Sequence, residues 1–531
     1  MRLIRTGVGA CVAVTVLAGC GGGGDDGGGS SGGGEVADGG TFTFALNSDP
    51  GNLDPQASAA TNLFTVSHFA YDSLLFSDAK GKVVSGLAED WAVDGTTVTL
   101  TLKDGITCAD GSPFTASDAA ANLNYIADPA NQSPFLGVFV PAGVQTTGDD
   151  ASRTVTMQLA EPAPFVLEGL GGVPMVCASG LADRTKLAAS TDGTGPYELT
   201  EAVPSDHYTY TKRDGYSWGP DGAGTDTKGL PDEIVVQVVQ NETTAANLLL
   251  SGDVNAAQVI GPDADRLDQQ GLFAAKVTAI LGEQFYNQAE GRPTADPAVR
   301  QALTQAVDFG QVATVLSGNR GGPGTTFAAS GVSACPGDSV SDALPEHDLD
   351  AAKKLLDDAG WKAGSGGVRS KDGTPLALTF TYDSGLGTPG SAAAELVVAA
   401  WKELGVDVTT TPQEETALVN TLFSTGDWDI AWVPINVSSP DQLVPFLSGP
   451  ATPDGNNFAH ISNADYDAGV AKAMAMNGTE GCDTWLQAES ALVRDADAFP
   501  FANQNASFFG SGAEFAVVDV LQPTSIRMLA D

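Results

Sequence analysis

Positive charge is scarce in this sequence. Its 531 residues include 25 lysines and arginines against 66 aspartates and glutamates, a net charge of −41. Such a chain is repelled by the phosphate backbone of nucleic acid and does not lie flat on an anionic membrane, which argues against both as partners. A solvated acidic exterior accounts for the balance. At this density carboxylate pairs arise by chance, so they nominate no acid–base catalyst. Histidine is scarcer still: His68, His207, His347 and His460 are the whole supply, with no close-spaced pair. That leaves little for a His-rich metal centre or a histidine-dependent active site. Beyond Cys20 there is no apolar run long enough to cross a bilayer. Internal repeats are absent, and no low-complexity segment follows Gly40.

What the N-terminus does have is LAGCGGGGDDGGGSSGGGEVADGG, Leu17 to Gly40. A glycine and serine run has no side chains whose burial offsets the entropy of ordering, so it reads as a tether. Arg2 and Arg5 precede Val8–Leu17, an apolar stretch of signal-peptide length. Leu17-Ala18-Gly19-Cys20 is similar to the lipobox of bacterial lipoproteins, in which the signal is cut before the cysteine and the thiol is lipidated. The sequence therefore predicts a signal peptide over 1–19, a lipidated Cys20 and a flexible tether over 20–38, with a reach of roughly 20 Å. The alternative is an ordinary secretory signal with an incidental cysteine. Cys108, Cys177, Cys335 and Cys482 then remain, without the close-spaced pairs of a zinc site. Outside the cytoplasm they read as disulfides, with three pairings open.

A chain of this length predicts at least two domains. TFTFAL, from Thr41, alternates Phe42, Phe44 and Leu46 on one face and predicts a strand. VDGTTVTLTLKDGIT predicts a hairpin turning at Asp94-Gly95, and SPFTASDAAANLNYIAD a helix capped by Thr115 or Ser117. RTVTMQL is a further strand. Asp296 and Pro297 open one helix, and Gly360 closes another. From LALTFTY to WDIAWVPIN, strands alternate with helices, which predicts a largely parallel α/β sheet.

GYSWG, Gly215 to Gly219, matches the Gly-x-Ser-x-Gly elbow of serine hydrolases. That motif requires a helix directly after the serine, and here GPDGAGTDTKG follows instead. Ser217 therefore reads as a turn residue, and a secreted hydrolase is the lesser alternative. The acidic turn over Asp214–Asp232 does not follow the order of a calcium loop. No cofactor is expected.

Several blocks, in order along nearly the whole chain, resemble a known family. They are ALNSDPGNLDP, VVSGLAEDWAVDG, LKDGITCADGSPFTASDAA, GTGPYELTE, YNQAEGRPTADPAVRQALTQAVDF, AAKKLLDDAGW and NFAHISNADYD. The sequence is similar to the bacterial solute-binding lipoproteins of ABC importers in the peptide/nickel class, family 5 of the extracellular solute-binding proteins. The resemblance implies an α/β fold of two lobes that close around a ligand at a hinge, as in periplasmic binding proteins. It implies a discontinuous first lobe, 39–282 plus 503–531, and a second lobe, 283–502, with crossings near Leu281–Gln284 and Phe501–Gln504. Under those boundaries the pairing Cys108–Cys177 and Cys335–Cys482 keeps each disulfide inside one lobe. The implied partners are a small solute, a permease with its ATPases and, through the lipid, the outer face of the cell membrane. The protein is expected to be a monomer and not an enzyme.

The resemblance also maps the ligand contacts. They fall on NSDPGNLDP, on TFTYDSGLG and on AWVPINVSSPDQL. Dipeptide-binding members hold the ammonium with an aspartate and the carboxylate with an arginine. Here those positions carry Ile435 or Asn436, and Tyr382. Burying an unpaired charge costs several kcal/mol, so a free zwitterionic dipeptide is disfavoured. A longer peptide held by its backbone, or a neutral or cationic solute, remains; so does another class such as an oligosaccharide or a metal chelate. Trp432, Tyr382, Phe64 and Tyr286 are expected to form an apolar wall, with Asn436, Ser438 and Asn47 as polar contacts.

Overall fold

In a computed structural model, residues 34–530 are described apart from 59, 329–332, 365, 477 and 519. The expected signal peptide, Cys20 and most of the tether lie outside the described residues. Strand β1 (Thr41–Leu46) buries the alternating Phe42, Phe44 and Leu46. Helix α1 (Thr61–Ala70) follows. Strands β2 (Ala88–Asp94) and β3 (Thr97–Leu102) form the predicted hairpin, and Val98, Leu100 and Leu102 point into a core. Helix α2 (Ala116–Ala127) opens on Thr115, not Ser117. The Thr115 hydroxyl accepts from the Asp118 amide while the Asp118 carboxylate accepts from the Thr115 amide, a reciprocal cap. With β4 (Gln145–Asp149) and β5 (Thr154–Gln158) these strands make an antiparallel sheet in the order β2-β3-β5-β4.

A larger sheet of eleven strands organises the rest. Its early strands are β6 (Tyr197–Val203), β7 (His207–Lys212), β8 (Glu233–Val238) and β9 (Ala256–Val259). Next comes β10 (Phe273–Tyr286), 14 residues long. Helices α3 (Pro297–Gln305), capped by Asp296, and α4 (Leu349–Asp358), followed by Gly360 at φ 89°, sit where the sequence predicts them. Strand β11 (Ala377–Asp383), helix α5 (Gly387–Leu404), strand β12 (Asp407–Gln413) and strand β13 (Ile430–Trp432) supply the strand–helix alternation. Helix α6 (Cys482–Arg494) leads into β14 (Ala498–Gly510), 13 residues long. The order across the sheet is β12-β11-β13-β10-β14-β9-β1-β8-β7-β6, with Gly321–Pro323 added beside β14.

The expectation of a largely parallel sheet is corrected. Among the described strands of the large sheet, only β1 with β8 and β9, and β11 with β12 and β13, pair in parallel. At the centre β10 and β14 run antiparallel along almost their full length, from Phe273 opposite Gly510 to Phe285 opposite Ala498. Alternation of strands and helices reports only local crossovers. It carries no signal for a strand that returns from the end of the chain. Strand β13 is also shorter than WDIAWVPIN suggests, because Pro434 has no amide to donate and the chain leaves the sheet after Trp432.

Separate hydrophobic cores lie along this sheet. Phe42, Phe69, Tyr210 and Ile234 belong to one at the β1 end, with Phe508, Leu521 and Ile526 from the C-terminal segment. Phe285, Trp401, Trp428 and Phe499 belong to another at the β11 end. The four-stranded sheet has its own, including Leu100, Leu123 and Leu170. The residues expected as crossings, Leu281–Gln284 and Phe501–Gln504, lie within β10 and β14, where the pairing slips around Gly282. A Cβ on Gly282 would come within 2.4 Å of the Phe501 ring, so only glycine admits that ring across the strand. The structure contains the disulfides Cys108–Cys177 and Cys335–Cys482.

Candidate functional site

The two sheet ends and the four-stranded unit leave a cavity of about 450 Å³ between them. Thr61, Phe64 and His68 reach it from α1, and Gln258 from β9. Val277, Thr278 and Ala279 come from β10, and Gln504, Ala506 and Phe508 from β14. The loop over Phe135–Phe139 and the end of the short helix Val166–Gly171 close one side. The loop after β13, with Asn436, Val437, Ser438 and Gln442, closes another. Val518, Val520 and Gln522 complete the wall from the C-terminal segment. Its volume is that of a small-ligand site, and its lining is of the usual kind, aromatic and aliphatic with a few polar groups.

Local chemistry sets each wall. On α1, Phe64 and His68 are one turn apart, with ring centroids 4.7 Å from each other. The His68 Nδ1–H donates to the Phe64 carbonyl at 2.8 Å, which leaves Nε2 as an acceptor. Burial holds the His68 pKa below its ordinary value despite that bond, so the ring is neutral. Phe139 lies on Gly172, where a Cβ would meet its ring at 2.5 Å. Glu168 sits beside it. Burial pushes the Glu168 carboxyl up to about 7; its own backbone amide pulls the other way, and the charge of Asp441 adds a smaller push upward. Asp441 is itself raised to about 6 by burial, although the Ser439 hydroxyl donates to it at 2.5 Å.

Phe64, Asn436 and Ser438 line the cavity. The other four residues expected there do not. Trp432 is 1 % exposed and packs between Phe380, Tyr382 and Phe501. Its indole N–H donates to Gln284 Oε1 at 3.0 Å, Gln284 Nε2 donates to the Tyr286 hydroxyl at 2.5 Å, and Tyr286 meets Thr304 at 2.9 Å. Trp432, Tyr286 and Tyr382 are thus core residues around a buried polar thread. Asn47 is exposed beyond β1 and not on the cavity wall. The loop it opens is bound to its own neighbours: Asp49 accepts from the Tyr208 hydroxyl, and Asp54 pairs with Arg184.

Asn436 and Ser438 have structural duties as well. Asn436 Oδ1 accepts from the Ile280 amide at 2.8 Å and its Nδ2 donates to the Ile280 carbonyl, while Glu283 accepts from the Ile435 amide at 2.8 Å. The loop after β13 is clamped to β10 by both. Gln442 accepts from the Ser438 and Ser439 amides, and its Nε2 donates to the Val138 carbonyl at 3.3 Å. That bond joins the second core's loop to the four-stranded unit across the cavity. Phe135, Phe139, Glu168 and Gln258 are not among the residues the sequence points to, whereas Gln442 falls in the AWVPINVSSPDQL block and Gln504 at an expected crossing. SPFLGVFV, with two phenylalanines and two valines between a helix and a strand, is the visible cue.

GYSWG is structural. The Tyr216 hydroxyl and the Trp218 indole N–H both donate to Asp72, at 2.7 and 3.2 Å, and Thr194 donates at 2.9 Å. This satisfies a fully buried carboxylate whose pKa burial raises. Ser217 is exposed between them, and a short turn over Pro220–Gly222 follows in place of a helix.

Two lobes, a strand pair passing between them and a ligand-sized cavity at the passage define a two-lobed solute-binding protein. Residues 82–457 match the model of the bacterial extracellular solute-binding proteins, family 5 Middle, and the chain belongs to that family. It is 26 % identical over 390 residues to the nickel-binding periplasmic protein of Escherichia coli K12, covering 69 % of this chain and 70 % of that protein. It is 25 % identical over 487 residues to the periplasmic murein peptide-binding protein MppA of the same organism, covering 86 % of each. Among solved structures, the oligopeptide-binding protein AppA of Bacillus subtilis in complex with a nonapeptide superposes with a TM-score of 0.74 at 20 % identity, over 94 % of this chain and all of that one.

Proposed function

We propose that this protein is the extracytoplasmic solute receptor of an ABC importer, anchored through a lipidated Cys20. It captures a peptide or peptide-like solute between two closing lobes and delivers it, unchanged, to a membrane permease. The lobes are 39–282 with 503–531, and 283–502, hinged where β10 and β14 slip in register around Gly282. One observation carries this reading: the cavity is walled by side chains from both ends of the large sheet and from the four-stranded unit, so its closure depends on how they sit together. A non-peptide solute is the second reading. It is favoured by the absence of lysine and arginine among the described lining residues, since a terminal carboxylate finds no partner there.

Uptake decides the role. The small molecule released on denaturing freshly purified protein is identified by mass spectrometry and then offered, labelled, to cells lacking the gene. Uptake should be lost, return with the wild-type gene and fail to return with Ala279→Trp, which fills the cavity. A gene-deleted strain that imports the solute normally but loses a transcriptional response to it would make the protein a sensor instead.

A further inference from the structure

We infer that the solute is an organic cation bearing an aromatic or bulky apolar group and no free carboxylate, and that Glu168 is the side chain that selects it. This rests on the reading of the cavity as the solute site.

Glu168 is the sole carboxylate among the described residues that line the cavity, and His68, held neutral, is the other titratable side chain there. Among the described residues no cation acts on Glu168: what acts on it is burial, its own backbone amide and the negative charge of Asp441. The two carboxylates come from different bodies. Glu168 belongs to the helix Val166–Gly171, whose Val166 and Leu170 enter the core of the four-stranded unit. Asp441 lies beyond β13 on the segment leading to Leu443 and Leu447 of the other core. Drawing those bodies together without a ligand therefore sets like charges against each other in a poorly hydrated place. A positive charge in the cavity converts that repulsion into attraction, and a negative one adds to it.

The remaining wall suits the same ligand. Phe64, Phe76, Phe139 and Phe508 line it, and aromatic rings favour an aromatic group and a cation alike. His68 Nε2 offers an acceptor to an N–H donor. Among the described residues no three histidine, cysteine or carboxylate side chains converge, so the charge sought is an ammonium or guanidinium, not a bare metal ion.

Three compounds of one shape test this on the dialysed mature protein by titration calorimetry: phenethylammonium, phenethyl alcohol and 3-phenylpropionate. The ammonium should bind about tenfold or more tighter than the propionate, the size expected for one charge-assisted contact out of bulk water. Glu168→Gln should reduce the ammonium to the level of the alcohol, Glu168→Asp should keep part of its advantage, and Ala279→Trp should abolish all three. If 3-phenylpropionate binds as tightly as the ammonium while Ala279→Trp still blocks both, the cation inference falls and the cavity reading stands. If Ala279→Trp leaves every affinity unchanged, the cavity reading falls and takes the inference with it. Absence of binding by all three to wild type also overturns the inference, because an ammonium and a ring are all it requires. The wild-type ranking needs no variant to fold.

Discussion

A carboxylate kept for a ligand destabilises the protein that waits for it, and Glu168 shows the sign. Its folded pKa, about 7, lies above the ordinary value of 4.5. The unfolded chain therefore ionises first, and stability is lost as pH rises from 4.5 to about 7, after which the loss is constant. Glu168→Gln removes that loss. Ligand-free Glu168→Gln should be more stable than wild type at pH 8, by up to roughly 3 kcal/mol, and equal to it near pH 4. Thermal melts at the two pH values check this; a lower melting temperature for the variant at pH 8 would mean that Glu168 has a structural partner. Trp432 behaves oppositely. Removing a buried indole leaves a cavity and strips Gln284 of its donor, so Trp432→Ala should cost about 3–5 kcal/mol. Urea unfolding of the ligand-free variant measures it, and an unchanged midpoint would place Trp432 outside the core.

At the scale of elements, β10 and β14 do most of the positioning. Each contributes to both ends of the large sheet and places residues in the cavity wall. Asn436 and Glu283 tie the loop after β13 to β10 on either side of the slip at Gly282. Asn436→Ala strands the Ile280 amide and carbonyl, and should lower stability by about 1–3 kcal/mol while raising hydrogen exchange in the loop over 433–442. Exchange unaltered there would show that the clamp is dispensable. The local elements were readable because each has its own cue: alternating Phe42 and Phe44, the Thr115 cap, Asp296 before Pro297, Gly360 after a helix. The site was readable only in part. Phe64, Asn436 and Ser438 line the cavity, whereas Trp432, Tyr286 and Tyr382 do not, since an aromatic on a strand looks the same in sequence whichever face it takes. Glu168 gives no usable signal, and Phe139 only the apolar run SPFLGVFV around it. They meet the cavity only through the docking of the four-stranded unit against residues some 300 positions later, such as Gln442, whose Nε2 bonds to Val138 at |i−j| = 304.

For the whole molecule, the separate cores lie along one sheet that β10 and β14 run through, and the chain carries a net charge of −41. That field attracts cations over a distance set by salt, about 8 Å at physiological ionic strength, and complements a solute of positive charge. A single small molecule held in the cavity between the lobes is what all of these expectations share. Native mass spectrometry of protein purified gently from its own host tests this most directly, comparing wild type with Ala279→Trp. One bound small molecule is expected per wild-type chain and none on the variant. An equal mass increment on both would contradict it and place the solute elsewhere.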